Sequence, residues 1–422
     1  MKRMARIGAA AVCLCAGPAS AASPSSTEVT GDCGGLPRLS VTTPQGFCVA
    51  VLATGLAFPR GVQPLPNGDI LVADMGSWEA NQGSIWLLKR TAAGYEKIKL
   101  LQRLDRPNGI VLGPDGLIYV GVVKRIFRFD PRAPAVLSDV VGGASKVAPL
   151  PGLGRHLLTT MRFSPGGDLY VNVGSSSDHC EAGDGTPPAP RLPCREAEGG
   201  GDGKSAGEIE PALGAIREYR MAWPGGVVKS WRTYARGLRN SMALAFQPGS
   251  GALWQAENAR DAIQVAMPGL KNDNELPHDE LNLVQPGQFY GWPYCYDDNR
   301  PSPEYPALNC AKYRAPARLL PPHAAPLGMT FYTADRFPAL YRNSLIVGYH
   351  GYRQHGHRLV ALLPDKAGAP LGKSVQLIGG WSHKGKQGMG APVDVKLGQD
   401  GQIYIADDRN GMVLRLQYGG AR

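Results

Sequence analysis

The sequence predicts an all-β protein, a six-bladed β-propeller with long disulfide-stapled loops. Three observations predict it: a turn-and-strand motif that recurs six times, frequent Gly and Pro (55 and 36 residues) against only 19% charged residues, and insertions concentrated in the second half of the chain. A ring of blades closes on itself, so one domain can hold a chain of 422 residues.

The motif is a tight turn followed by an apolar strand. Pro66-Asn67-Gly68-Asp69 leads into Ile70–Asp74, Pro114-Asp115-Gly116 into Leu117–Val120, and Pro165-Gly166-Gly167-Asp168 into Leu169–Val171. Pro248–Gly251 before Ala252–Trp254, Gln399-Asp400-Gly401 before Gln402–Ile405, and a degenerate Tyr341-Arg342-Asn343 before Ser344–Val347 complete the set. Gly or Asn supplies the positive φ of the turn, and β-branched and aromatic residues suit a strand facing a core. From Gly68 to Gly116 is 48 residues and from Gly116 to Gly167 is 51, about one four-stranded blade; the later spacings are 84, 92 and 58. An eight-bladed ring with two unseen repeats is the structural alternative that these wide spacings leave open.

The N-terminus reads as an address. Lys2, Arg3 and Arg6 precede the apolar stretch Ile7–Gly17, and Ala19-Ser20-Ala21 offers small residues for cleavage, so residues 1–21 are expected to be a signal peptide. Residues 22–48 are then an N-terminal extension and 49–420 the propeller. The destination is periplasmic or secreted. No later apolar run has membrane-spanning length. Cleavage removes three positive charges, taking the formal +10 to +7, together with Cys13 and Cys15. Leu14, where a small residue is wanted, argues against a lipoprotein at Cys15. The remaining basic residues are scattered, with no nucleic-acid signature.

Six cysteines remain, in pairs 15, 14 and 15 positions apart: Cys33 with Cys48, Cys180 with Cys194, and Cys295 with Cys310. Six thiols allow fifteen pairings, and local ones fit this clustering best in an oxidising compartment. No Cys-x-x-Cys or Cys-x-x-Cys-His occurs, which disfavours a zinc site and attached haem. Residues 178–207, 266–280 and 294–325 are polar or Pro-rich insertions, two of them carrying a cysteine pair. Stapled loops of this length suit an ordered rim around a channel mouth.

Chemistry concentrates in residues 235–293. Arg239 and Asn240 stand before an apolar run, Glu257 to Asp261 follow a short strand, and Asp279 and Glu280 precede a turn rich in Gly and Pro. A cation, an amide and oxygen donors at strand ends can hold a flat polyanionic cofactor through a hard metal ion. A surface hairpin with ordinary charges is the plainer alternative.

Several segments, in order along residues 50–418, carry a resemblance to a known family. They are Arg106-Pro107-Asn108-Gly109-Ile110, His156 leading into Arg162–Gly167, Gly237-Leu238-Arg239-Asn240, and Glu257-Asn258-Ala259-Arg260-Asp261. Asp279-Glu280-Leu281-Asn282 with Tyr290-Gly291-Trp292-Pro293, and His323–Gly328 with His350-Gly351, follow. The chain resembles the soluble sugar dehydrogenases that use pyrroloquinoline quinone (PQQ), and most of all their sorbosone dehydrogenase-like branch.

The resemblance implies a six-bladed propeller whose mouth holds PQQ and Ca2+. It puts His156 in the place of the general base that takes the hydroxyl proton of a sugar while hydride passes to the quinone. Arg239 would stabilise negative charge on the quinone oxygen, and Asn108 and Asn240 would bond the cofactor's edge. His323 and His350 fall in the matched cofactor segments. The backbone carbonyls of Ala259 and Arg260 would hold calcium, and Asp279, Glu280 and Tyr290 match a second, structural calcium region.

Two departures from the glucose-oxidising members stand out. Ser175 replaces an Asp that orients the base, with Asp178 near enough in sequence to substitute. Gly390-Ala391-Pro392-Val393-Asp394 lacks a pair of arginines, so Arg353, Lys384 and Lys386 are the candidates to meet the cofactor carboxylates. The implied partners are a sugar or polyol and an external electron acceptor, a cytochrome or a quinone. A calcium-dependent six-bladed lactone hydrolase and a non-catalytic propeller binding carbohydrate or peptide are the other readings.

Overall fold

A computed structural model describes residues 29–181, 194–199, 212–381 and 390–419. The expected signal peptide, residues 1–21, lies outside the described residues, as do Lys384 and Lys386. Six antiparallel sheets of at least four strands form the ring. In the first blade the strands are Pro59–Pro64, Ile70–Asp74, Gly83–Thr91 and Gly94–Leu104; in the second, Ile110–Leu112, Ile118–Val122, Arg125–Phe129 and Leu137–Val141. The third has Met161–Phe163, Leu169–Val173, Ala215–Ala222 and Val227–Arg236, and the fourth Ala243–Phe246, Leu253–Glu257, His278–Val284 and Arg318–Pro322. The fifth has Pro326–Phe331, Leu345–Tyr349, Arg358–Leu362 and Ser374–Ile378.

The sixth blade joins both ends of the described chain. Pro392–Leu397, Ile403–Asp407 and Met412–Tyr418 are completed by Phe47–Ala53, paired as Leu416 with Val49 and Tyr418 with Phe47. Pro37–Leu39 and Val29–Asp32 continue this sheet outward, stapled by Cys33–Cys48, so part of the 22–48 extension is built into the last blade. Ring closure by the N-terminal strand makes the first and last segments depend on each other.

All six repeated motifs do one structural job, connecting the first and second strands of a blade. Gly68, Gly116, Gly167 and Gly401 have φ of 88°, 77°, 89° and 74°, the left-handed region where glycine carries no Cβ penalty. The wide later spacings contain loops within blades three to five, not further blades. Where first strands of neighbouring blades meet, glycine also serves close approach: a Cβ on Gly61 would strike the Asn108 carbonyl, and one on Gly328 the Val393 carbonyl.

With the repeated turns at one end, the antiparallel meander sends the second-to-third connections and the links between blades to the opposite end. That end is the mouth. Below it Met75, Leu158, Met242, Leu327 and Val393, contributed by five different blades, form one buried apolar cluster that plugs the channel. Deeper in the channel Asp394 bridges Arg162 (3.2 Å) and Lys396 (3.8 Å).

All three local disulfides are present, with Cα–Cα distances of 5.9, 6.2 and 6.1 Å. Cys180–Cys194 and Cys295–Cys310 share an apolar cluster with Ala197, Trp292, Tyr294 and Tyr305, so the two stapled insertions pack on each other beside the mouth. No helix among the described residues is long and apolar enough to cross a membrane.

Candidate active site at the channel mouth

The ring brings most of the expected site residues to one end. Asn108, His156, Arg239, Asn240 and His323 lie on links between blades, and Ala259, Arg260, His350 and Arg353 follow second strands. Backbone bonds knit these loops together: Ser175 N donates to Arg239 O (2.8 Å), Asn258 N to Asn240 O (3.3 Å) and His350 N to Ala325 O (3.1 Å).

His156 is held by Ser175. Its Nδ1 lies 3.0 Å from the Ser175 carbonyl and 2.9 Å from Ser175 Oγ, whose own hydrogen goes to Ser177 O at 2.6 Å. A carbonyl only accepts, so Nδ1 carries the proton and Nε2 presents a lone pair. Burial first, and the nearby Arg239 guanidinium second, hold the imidazole well below its ordinary pKa, so it is neutral. A neutral, single-tautomer imidazole is a ready proton acceptor. The expectation that Asp178 substitutes as its orienter is corrected, because the Asp178 carboxylate bonds Arg239, His179 and Asp261 N.

Arg239 has every donor engaged. Nε donates to Asp178 O (3.0 Å), Nη1 to Asn258 O (3.0 Å) and Ala259 O (2.8 Å), and Nη2 to the carboxylates of Asp178 and, at 3.4 Å, Asp261. Asn240 donates its N–H to Glu257 (3.2 Å) and leaves a buried Oδ1 without a partner among the described residues. Asn108 spends its amide within the fold, accepting from Arg60 Nε (3.1 Å) and donating to Thr159 O (3.1 Å).

The expected cofactor cations sit differently. Arg353 grips Asp273 through two bonds of 2.6 and 3.1 Å, and His323 Nε2 donates to the carbonyl of Asp273 (2.6 Å). His350 Nε2 lies 3.1 and 3.0 Å from the two oxygens of Asp408, which also binds buried Arg60 at 2.7 Å. Burial alone would raise Asp408, but His350 and Arg60 outweigh it and hold its carboxyl below the usual range. Arg60 and Asp408 were not singled out in the sequence. A positional signal existed: Asp408 immediately follows the sixth repeated strand, as His350 follows the fifth.

For a metal, the chemistry of the donors is favourable at one point. The Ala259 carbonyl faces Arg239, and the Arg260 carbonyl accepts no bond among the described residues, while the Arg260 side chain turns away to Glu304 (2.8 and 2.7 Å). Consecutive carbonyls beside the Asp261 carboxylate fit a hard cation. For the carboxylates of a quinone the fit is poorer, since Arg60, Arg239 and Arg353 are each paired with an aspartate.

The second calcium set does not gather as a group. Asp279 braces two loops by accepting from Ala259 N (2.8 Å) and Ala325 N (2.6 Å), and burial pushes its carboxyl up to about 6. Tyr290 donates to Leu283 O (2.7 Å) and accepts from Gln285 N (2.9 Å), closing a turn. Glu280 and Tyr290 do line one narrow cleft, together with Glu257 and the Ala259–Arg260 segment. Burial pushes Glu257 up to about 7; burial, and then the Glu257 charge, raise Glu280.

Comparisons with known proteins agree with this architecture. Residues 226–415 match the glucose/sorbosone dehydrogenase family. An uncharacterised protein of Borreliella burgdorferi is 29% identical over 193 residues, 44% of this chain and 48% of that protein. The aldose sugar dehydrogenase of Escherichia coli K12 is 26% identical over 191 residues, 43% of each. The matches thus span less than half the length of these relatives. Among solved structures, a Trichoderma reesei protein of carbohydrate-active enzyme family AA12 superposes with TM-score 0.69 at 19% identity, over 90% of this chain and 99% of that one. The holo PQQ domain of Coprinopsis cinerea pyranose dehydrogenase gives 0.65 at 21% identity, over 91% and 99%. These likenesses establish the propeller fold.

Proposed function

We propose that this chain, whose residues 226–415 match the glucose/sorbosone dehydrogenase family, is an exported oxidoreductase that oxidises an aldose or sorbosone-like sugar by hydride transfer to PQQ. The observation that carries the reading is His156, a neutral imidazole pinned through Nδ1 with Nε2 unbonded among the described residues, in the same mouth as Arg239. PQQ supplies, when bound, the electrophilic carbon that accepts hydride. With PQQ in place, His156 Nε2 would take the C1 hydroxyl proton of a cyclic aldose, or of an aldehyde hydrate, as C1 gives up its hydride, so that the sugar leaves as a lactone or an acid. The two reducing equivalents would go to a separate cytochrome or a membrane quinone.

The carbonyls of Ala259 and Arg260 are the proposed calcium ligands, with Arg239 and Asn240 beside the cofactor. The buried Asn240 Oδ1, without a partner among the described residues, supports a role for that amide toward a ligand. Lys384, Lys386 and Arg353 are the proposed partners of the cofactor carboxylates; for Arg353 this requires exchange of its bond to Asp273. A second calcium is proposed at Glu280 and Tyr290, with Glu257 added.

The hydrolase reading needs carboxylate and Asn side-chain ligands on the axis of the ring. Among the described residues, five blades meet in the apolar cluster of Met75, Leu158, Met242, Leu327 and Val393, which offers no such ligands at that level. Reconstitution of the purified chain with PQQ and calcium, assayed by dye reduction over aldoses and sorbosone, tests the proposal. Sugar-dependent reduction is expected for wild type; no binding at micromolar PQQ would overturn the assignment.

A further inference from the structure

Asp178 bonds the mouth through both its carboxylate and its backbone carbonyl, and it lies three residues from the serine that holds the base. It is 3% exposed. Its backbone carbonyl accepts from Arg239 Nε at 3.0 Å and from Trp292 Nε1 at 2.9 Å. Its Oδ1 accepts from Arg239 Nη2 and from Asp261 N at 3.0 Å, while Oδ2 lies 3.1 Å from His179 Nδ1. One residue therefore grips the side edge of the guanidinium at two points, Nε and Nη2, which fixes both its position and its plane.

The grip is itself supported from outside. Asp178 N donates to Glu181 (2.8 Å), and Glu196 accepts from Ser176 N (2.8 Å) and Ser176 Oγ (2.5 Å). Cys180–Cys194 ties the two ends of this loop, and Trp292 belongs to the neighbouring stapled insertion. Burial alone would raise the Asp178 carboxyl, yet His179, Arg239 and the Asp261 N–H keep it far below the ordinary range, so it is ionised.

We infer that Asp178 is the positioning residue of Arg239: by holding Nε and Nη2 it aims the guanidinium across the mouth beside His156. This rests on the dehydrogenase reading for its catalytic consequence, but not for its geometry. Asp178, 61 residues away in sequence, thus plays for Arg239 the part that Ser175 plays for His156.

The test uses Asp178→Ala, Asp178→Asn and Arg239→Lys in the full chain. Asn keeps an oxygen for Arg239 Nη2 and Asp261 N; Ala keeps only the backbone contact. Proton exchange at Arg239 Nη2, the donor that the Asp178 side chain holds, followed by NMR without added cofactor, is expected to quicken at least about tenfold in D178A and stay near wild type in D178N. In PQQ- and calcium-loaded enzyme, D178A should lower kcat ~100-fold with KM for the sugar within about twofold, and D178N should recover most of that loss. In the Arg239→Lys background D178A should cost little more, since the grip has nothing left to hold. Unchanged Nη2 exchange in folded D178A, or additive losses in the double variant, would overturn the inference. Equal losses in D178A and D178N would overturn it in favour of a pure charge effect. If D178A does not fold, D178N carries the test alone, because exchange as fast as in a surface arginine would contradict positioning by shape. Failure of PQQ to bind would remove the kinetic arm and sink the dehydrogenase reading, leaving the exchange result to decide the geometry.

Discussion

At His156 the chemistry is set by one hydrogen bond and one neighbouring charge. The Ser175 carbonyl fixes the tautomer, and burial with the Arg239 charge keeps the ring neutral. The rate of sugar oxidation should therefore be flat between pH 6 and 8, without the inflection near ~6.5 that an unperturbed histidine gives; a clear inflection there in a pH–rate profile would count against this base. Ser175→Ala should cost only about tenfold or less in kcat, because the carbonyl bond survives, whereas His156→Ala should cost ~10²–10⁴-fold. That His156 and Arg239 share one mouth was legible in the sequence because their local motifs are distinctive. Their partners were not. Asp178 reaches Arg239 across 61 residues and Arg60 reaches Asp408 across 348, and nothing in a linear reading relates such pairs. The second calcium set failed to gather for a related reason: adjacent residues Asp279 and Glu280 point to opposite faces of one strand, as a period of two requires, and only Glu280 shares the Glu257 cleft.

Among the elements, the six turn-and-strand repeats were the most legible part of the chain, since turn chemistry is local and each copy needs the same Gly or Asn. What lay between them was less so: spacing alone could not distinguish long loops from missed blades. The loops of the third and fourth blades turn out to pack on each other through Trp292, Tyr294 and Tyr305. This gives the disulfides unequal functional weight. Replacing either Cys33 and Cys48 or Cys180 and Cys194 by Ala should cost ~3 kcal/mol in the chain-entropy account. Only the second should also lower sugar oxidation by a further tenfold or more, because it frees the loop that carries Asp178. Denaturant midpoints beside kcat for the two double variants separate these effects, and equal activity losses would refute the distinction.

On the scale of the whole molecule, the ring is closed by Phe47–Ala53 and its channel is sealed by side chains from different blades. Below the plug, burial and then the Arg162 charge lower the Lys396 amine from 10.5 to about 7, with Asp394 only partly compensating. A lysine whose pKa falls on folding costs stability when charged. That cost is largest below the folded pKa and disappears as pH rises toward the unfolded value, so between about 7 and 10.5 this group makes the fold more stable with rising pH. Lys396→Met should raise stability at pH 6 by on the order of 3 kcal/mol and flatten that rise, as thermal unfolding across pH will report.

The central claim is that this mouth oxidises a sugar through His156. Single-turnover reduction of PQQ in the reconstituted, calcium-loaded chain, followed anaerobically by absorbance on adding an aldose or sorbosone, tests it most directly. The account predicts stoichiometric, sugar-dependent reduction in wild type and a loss of ~10²-fold or more in its rate in His156→Ala with PQQ still bound. Equal rates in the two proteins, or bound PQQ that no sugar reduces, would contradict it.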